Sequence, residues 1–132
     1  MKDFIRRLIL RLVPPNYIKG LIEQAAHDEI RESAIFEKNV RTSLKTEIFN
    51  HYGDRSAIKV GENSVINGEL LTFGFGGNIF IGKDCFIGEN SRIWSGERVT
   101  IGNEVLISHN VNILDTDSHE LDHIKRAESY KR

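Results

Sequence analysis

Residues 81–118 read IGKDCF-IGENSR-IWSGERVT-IGNEVL-ISHNVN-ILDTDS, and this stretch decides the fold. Isoleucine returns every six positions in two groups, Ile81, Ile87, Ile93 and Ile101, Ile107, Ile113, which are joined by a unit with two extra residues. A strand alternates with a period of two and a helix with a period near 3.6, so a period of six fits neither. It is typical of a parallel β-helix, in which each hexad forms one short strand and one corner.

An earlier row, residues 60–80, carries the same pattern as VGENSV-INGELL-TFGFGGNIF. Rows that begin at Val60, Ile81 and Ile101 predict coils of about twenty residues, each with three strands around a triangular prism. The predicted interior columns are Val60–Ile81–Ile101, Ile66–Ile87–Ile107 and Thr72–Ile93–Ile113. Glycine after the aliphatic residue suits a corner with positive φ, as at Gly61, Gly82, Gly88 and Gly102. The glycine-rich run 73–78 predicts a wide corner.

Length and composition limit the possible functions. A chain of 132 residues is one domain, with a helical appendage. Its 18 basic and 19 acidic residues give no electrostatic case for nucleic acid, so no such partner is expected. The single cysteine, Cys85, cannot form an intramolecular disulfide, and its place in the hexad predicts burial. We therefore expect a cytoplasmic protein.

The N-terminal segment differs in kind from the repeat. It has an apolar stripe at helical spacing, consisting of Phe4, Ile5, Leu8, Ile9, Leu12 and Val13. Pro14 and Pro15 end that helix. A second helix follows with an apolar face of Ile18, Leu21, Ile22, Ala25 and Ile30. The first helix either caps an open end of the solenoid, contacts another subunit, or touches a membrane surface through residues 1–13.

Candidate catalytic residues follow the last hexad. The repeat ends in the polar run Asp115-Thr116-Asp117-Ser118-His119-Glu120. A histidine serves as a general base near neutral pH, and a neighbouring carboxylate orients its ring. His119 is the candidate base, and Asp117 and Asp115 are the candidate carboxylates. A solvated turn explains the same residue types equally well, because Asp, Ser and Thr are common turn formers.

Two metal-dependent alternatives fit parts of the sequence. Residues 119–123 read HELDH and fit the H-E-x-x-H zinc-peptidase motif, which needs both histidines on one helix and a third ligand. Here the motif adjoins a β-helix, and a five-letter pattern arises easily by chance. A trimeric zinc hydratase would need His109, His119 and His123 to converge at a subunit interface. We therefore predict no metal site.

The stretch IGKDCFIGENSRIWSGERVTIGNEVLISHNVNILDTDSHELDHIKR resembles the hexapeptide-repeat acyltransferases, and the resemblance covers residues 60–126. The ending ILDTDSHEL is similar to the "I-x-D-x-x-S-H-x-L" ending of the branch that acetylates sugars of bacterial surface polysaccharides. The resemblance implies an all-β fold, a left-handed parallel β-helix, here with an N-terminal helical segment. The left hand comes from the family, since physical argument alone predicts right-handed crossovers.

The resemblance also implies a function. It implies a cytoplasmic homotrimer, with the inner face of the membrane as an alternative location, and with active sites between neighbouring prisms. Acetyl-CoA would be the acyl donor, and the acceptor would be a sugar hydroxyl of a cell-surface polysaccharide or its precursor. His119 would deprotonate that hydroxyl, with Asp117 and Asp115 beside it. The expected substrate-binding residues are His109, Trp94 and Asn110.

Two departures from the family matter. The galactoside and maltose acetyltransferase branch has asparagine where this chain has Gly88, and Asn90 does not replace it. Family members also continue with further coils, so we expect a truncated or partial chain. The alternative function is a non-catalytic β-helix or assembly module that lacks the C-terminal CoA-binding coils. The predicted divisions are a helical capping segment (1–56), the β-helix (57–118), and the start of the active-site loop with the C-terminal tail (119–132).

Overall fold

The computed structural model of this chain describes residues 1, 4–5, 12, 14–117 and 119–131. Within them, strands form three all-parallel sheets that wrap into a solenoid of about four turns. The predicted parallel β-helix with an N-terminal helix is thereby confirmed. Among the described residues, no helix has the length and hydrophobicity needed to cross a membrane.

The elements follow one another in a regular order. Helix α1 is Pro15–Ser33. Coil 1 consists of β1 (Ile35–Phe36), β2 (Arg41–Thr42) and β3 (Glu47–Asn50). A 3-10 turn (Arg55–Ala57) leads into coil 2, with β4 (Ile58–Val60), β5 (Val65–Ile66) and β6 (Glu69–Thr72). Coil 3 consists of β7 (Ile79–Ile81), β8 (Phe86–Ile87) and β9 (Arg92–Ser95). Coil 4 consists of β10 (Val99–Ile101), β11 (Leu106–Ile107) and β12 (Asn112–Leu114), and α2 (His123–Ser129) follows.

Each sheet takes one strand from every coil. The first sheet is β1-β4-β7-β10, the second is β2-β5-β8-β11 and the third is β3-β6-β9-β12. We number the corners likewise: the first corner follows the first strand of a coil, the second follows the second strand, and the third follows the third strand.

Two of the three predicted interior columns are confirmed by the strand register. Val60, Ile81 and Ile101 align, and so do Ile66, Ile87 and Ile107. The third predicted column is wrong at its coil 2 position. Leu70, not Thr72, aligns with Ile93. The error arose because the second corner of coil 2 is two residues shorter than the hexad rule allows.

The corner glycines also have a different role from the predicted one. Positive φ falls on the third residue after the aliphatic position, at Asn39, Asn63, Asp84, Asn90, Glu104 and Asn110. Gly82 does not have positive φ. An added Cβ there would lie 2.6 Å from the Gly102 carbonyl oxygen in the next coil. The glycine is therefore selected by the close approach of stacked coils, which leaves no room for a side chain.

The solenoid begins earlier in the chain than the sequence indicated. Coil 1 lies wholly within residues 1–56, the segment that the sequence predicts to be a helical cap. Its repeat is weak in the sequence because the second-column position is Thr42, where later coils have isoleucine. The first column starts at Phe36, which aligns with Val60.

Helix α1 covers the N-terminal end of the prism. Asn50 Nδ2 donates to the Ser33 carbonyl oxygen at 2.8 Å, and Arg55 Nε donates to the Ala34 carbonyl oxygen at 2.8 Å. Of the predicted apolar face only Ile30 is buried; Ile18 is half-buried, and Leu21, Ile22 and Ala25 are exposed. The helix predicted over residues 1–13 lies largely outside the described residues.

Buried polar side chains connect successive coils at the first corner. Ser64 Oγ donates to the Gly82 carbonyl oxygen at 2.9 Å and accepts from the Cys85 N–H at 3.0 Å. Cys85 is buried, as predicted, and its thiol donates to the Gly102 carbonyl oxygen at 3.0 Å. This cysteine is thus a packing residue of the corner.

Candidate functional site

A ladder of polar side chains runs along the third corner, where the candidate catalytic segment begins. Asn50, Thr72 and Ser95 align in register. In coil 4, Leu114 aligns with Trp94, and Asp115 is the next residue. Thr72 Oγ1 donates to Asn50 Oδ1 at 2.9 Å. Ser95 Oγ donates to Asp115 Oδ2 at 2.7 Å. Thr72 and Ser95 are fully buried, so each depends on its partner in the ladder.

Asp115 closes the third corner of coil 3 from above. Besides the Ser95 hydroxyl, it accepts the Gly96 N–H at 2.6 Å and the Glu97 N–H at 3.1 Å. Burial of the carboxylate opposes ionisation. The bonds from Ser95, Gly96, Glu97 and Arg98 outweigh it and hold the pKa of Asp115 below its ordinary value. The carboxylate is therefore ionised at neutral pH and binds coil 3 with both oxygens.

His119 lies just beyond this corner and is exposed. Asp117 is exposed as well. Within residues 14–117 and 119–131, no hydrogen bond or ion pair joins the His119 ring to Asp115 or Asp117. The structure thus gives Asp115 a structural task and leaves the imidazole open to solvent, free to meet a ligand.

An aromatic cluster of Phe73, Phe75 and Trp94 lies at the same corner. The Phe73 and Phe75 rings stack with centroids 5.3 Å apart, and Phe73 meets Trp94 edge-on at 6.4 Å. An added Cβ on Gly96 would lie 3.1 Å from the Phe75 ring and 3.3 Å from Thr116 Cβ. Phe75 is 76% exposed, so the cluster offers an apolar ledge beside the segment that leads to His119.

The Trp94 indole is held in a fixed orientation on the outer face of the third sheet. Its Nε1 donates to Glu69 Oε1 at 2.6 Å. The other Glu69 oxygen lies 3.8 Å from Arg92 Nε, and the Arg92 guanidinium stands 5.9 Å from the indole ring. A ring fixed in this way presents its face without loss of side-chain entropy on binding.

His109 and Asn110 lie at the second corner of coil 4, away from this ledge. Asn110 has a left-handed backbone with φ 59°, and the His109 ring lies 3.1 Å from the Ser108 hydroxyl. Asp115 lies five positions after Asn110 along largely extended chain, a separation of about 16 Å at ~3.3 Å per residue. Within one chain, the predicted substrate-binding residues are thus divided between two edges of the prism.

The H-E-x-x-H segment does not have the helical geometry of a zinc peptidase. Helix α2 begins at His123, and its N-cap is Asp122, which accepts the Ile124 N–H at 2.8 Å. His119 therefore lies outside the helix and cannot share a helical face with His123. In the part of the chain that the structure describes, no group of three or more His, Cys, Asp or Glu residues could hold a metal ion.

Sequence reasoning missed two parts of this site. It treated residues 73–78 only as a wide corner, although Phe73 and Phe75 bring their rings to the candidate segment. It also overlooked Glu69, which fixes the indole. The run Phe73-Gly74-Phe75 was a usable signal, since two aromatic residues in a glycine-rich corner are unusual for a purely structural turn; Phe73 is half-buried and Phe75 is exposed.

No family model, curated protein or solved structure matches this chain.

Proposed function

We propose that this protein transfers an acetyl group from acetyl-CoA to a sugar hydroxyl of a surface polysaccharide or its precursor. His119 removes the hydroxyl proton as the hydroxyl oxygen attacks the thioester carbonyl. The C–S bond breaks, the new ester forms, and the leaving CoA sulfur takes the proton from the imidazolium. The observation that carries the proposal is an exposed imidazole at the corner that also holds an exposed aromatic ledge.

The ledge favours a sugar acceptor over a charged or fully apolar one. A pyranose has one face of C–H groups that packs on an aromatic ring and a rim of hydroxyls that seeks polar partners. Phe75 supplies the exposed ring, and Trp94 supplies the fixed one. Arg92 and Glu69, beside the indole, are suited to the hydroxyl rim.

A homotrimer would complete this site. His109 and Asn110 lie at a different prism edge from His119, so they reach one substrate only if a neighbouring prism brings its second corner to this third corner. In that arrangement the acetyl-CoA donor and the acceptor bind between subunits. The proposal places the protein in the cytoplasm, where acetyl-CoA is made, with contact to the membrane through residues 1–13 as a further part of it.

The test compares the wild type with His119→Ala and His119→Gln. Thiol release from acetyl-CoA is followed in the presence of purified bacterial polysaccharide or nucleotide-activated sugars. Loss of a general base lowers turnover by about 10²–10⁴-fold, and we expect both variants to fall in that range. His123→Ala, also exposed, is the matched control and should keep its activity. Equal turnover by wild type and His119→Ala would refute the role of His119.

A non-catalytic solenoid is the second candidate, favoured by the recorded bonds of Asp115, which serve the fold and not the imidazole. Calorimetric titration of the chain with CoA separates the two candidates. Saturable CoA binding supports the transferase, whereas the absence of binding supports an assembly module.

A further inference from the structure

The second corner of coil 2 is shorter than the same corner in the coils on either side of it. Residues 67–68 join β5 to β6, whereas residues 43–46 form this corner in coil 1 and residues 88–91 form it in coil 3. The prism edge therefore has a notch at coil 2. Gly68 permits the short corner, because an added Cβ there would lie 2.5 Å from the Ser91 carbonyl oxygen of coil 3.

An ion pair spans this notch from coil 1 to coil 3. Lys45 Nζ lies 2.6 Å from Glu89 Oε2, although the two residues belong to coils that are not neighbours. A corner of full length in coil 2 would lie between them. Both side chains are exposed, at 63% and 49%, and an exposed pair contributes little to stability. The two groups can therefore exchange this contact for contacts with a ligand.

The notch has the size and the lining of a binding site for a small polar ligand. Its volume is about 430 Å³, within the range of about 300–1,000 Å³ that is typical of ligand sites. Its polar lining consists of Lys45, Glu47, Glu69, Asn90 and Arg92. Two cations, two carboxylates and one amide offer both donors and acceptors with no net charge. This balance favours a neutral ligand rich in hydroxyl groups over a phosphate or a metal ion.

The notch also holds the indole ring of Trp94 in place. Glu69 lines the notch, and its carboxylate accepts the Trp94 Nε1–H at 2.6 Å. The other oxygen of Glu69 lies 3.8 Å from Arg92 Nε, a second lining residue. The Glu69 side chain is only 17% exposed, so these contacts fix its position. A ligand in the notch therefore touches the groups that orient the ring.

The notch and the aromatic ledge lie at opposite ends of β9. The strand begins at Arg92, beside the notch, and ends at Ser95, at the corner where Phe73 and Phe75 stack. Trp94 lies between the two ends on the outer face. Ser95 is three positions after Arg92, a separation of about 10 Å at ~3.3 Å per residue. This distance exceeds the width of one pyranose ring, so a carbohydrate that contacts both ends has at least two sugar units.

We propose that the notch binds a further unit of the sugar chain whose reacting unit lies on the aromatic ledge. The acceptor is then a chain of several neutral sugar units that crosses β9 and the Trp94 indole, and not a single sugar or a nucleotide-activated sugar. This inference rests on the proposed transfer to a sugar, because the ledge is its acceptor site. Binding of the chain is measured without the reaction, so the two proposals can fail separately.

The experiment titrates the protein with isomalto-, manno- and chito-oligosaccharides of one to six units and follows the fluorescence of Trp94. The chain has one tryptophan, so the signal comes from the site itself. Calorimetry repeats each titration without the fluorophore. In at least one series we expect the affinity to rise about tenfold from one unit to four, because the longer chain adds hydrogen bonds in the notch. Affinity that is independent of length in every series, or no binding in any series, would overturn the proposal. Tighter binding of UDP-N-acetylglucosamine than of every four-unit chain would also overturn it.

Variants at the notch separate its role from that of the ledge. Lys45→Ala combined with Glu47→Ala removes two exposed lining groups. The affinity for the four-unit chain should fall about tenfold, while the affinity for the single sugar should stay the same. Lys83→Ala is the matched control, because it breaks the exposed pair with Glu62 at 3.9 Å between coils 2 and 3, at the first corner. This control should bind like the wild type.

Two results distinguish failure of the notch from failure of the proposed activity. A double variant that binds the four-unit chain as tightly as the wild type would refute the role of the notch, even where acetyl transfer occurs. Length-dependent binding that the double variant loses would support the notch, even where the wild type transfers no acetyl group.

Discussion

Replacement of Asp115 tests whether this carboxylate serves the fold or the reaction. Asp115→Ala removes the acceptor of the Ser95 hydroxyl and of the Gly96 and Glu97 N–H groups, at 2.7, 2.6 and 3.1 Å. If its task is to close the corner, stability falls. If it instead orients His119, turnover falls while stability stays.

The size of the expected loss of stability depends on whether each hydrogen-bond donor can bond to water once the carboxylate is removed. Ser95 is fully buried, so its hydroxyl has no water to replace the carboxylate, at a cost of about 1–3 kcal/mol. Gly96 is half-buried and Glu97 is exposed, so their N–H groups regain water and lose less. We expect a total of about 3 kcal/mol, which lowers the unfolding midpoint by roughly 10 °C for a chain of this size.

The pH dependence of this contribution has a defined sign. The pKa of Asp115 is lowered in the folded state, so its stabilisation is fully present above the unfolded aspartate pKa of ~3.9 and is lost as the pH falls through the folded value. The difference in stability between wild type and Asp115→Asn should therefore shrink below about pH 4.

Urea unfolding followed by circular dichroism, repeated from pH 7 to pH 3, measures both effects. Asp117→Ala is the matched control, because Asp117 is exposed and lies two residues further along the chain. An Asp115→Ala variant with the urea midpoint of the wild type would refute the structural role, as would a stability difference that stays constant with pH.

The remaining predictions concern the prism core. Ser64→Ala leaves the buried Cys85 N–H without its 3.0 Å acceptor and should lower the free energy of unfolding by about 1–3 kcal/mol in urea titration, whereas Ser56→Ala, on a half-buried turn, serves as the control. Ile87→Ala removes a fully buried side chain from the middle of the second column and should cost about 2–5 kcal/mol, measured in the same way. Leu106→Ala on the 80% exposed outer face should change little, and equal losses at 87 and 106 would contradict the assignment of inner and outer faces.

Much of the fold could be predicted from the sequence because the repeat is a one-dimensional code. In coils 3 and 4 an aliphatic residue at every sixth position fills the prism, so the columns through Ile81 and Ile87 follow from counting. Coil 1 escaped detection because Thr42 replaces the aliphatic residue of its column. The prediction of the third column was wrong in coil 2, where Leu70 and not Thr72 aligns with Ile93. A shortened corner changes only the spacing between aliphatic residues, and the residue types do not reveal it.

The candidate site was less predictable, since its parts come from different coils. The sequence places Asp115 near His119, and only the stacked coils show that Ser95 and Gly96 take both carboxylate oxygens. Likewise, the contact of Phe73 with Trp94 joins residues of adjacent coils that no local pattern connects.

The amino-acid order alone determined that this chain coils, because burial of a branched side chain every six residues has few other solutions. The tertiary structure decided which coil lies against which side chain, and hence that one aspartate is committed to a corner while the imidazole after it stays exposed. Spacing along the chain fixes the strands and corners. The hydrogen bonds between coils, which span about 4.8 Å, depend instead on register. A corner that is two residues shorter is enough to shift that register.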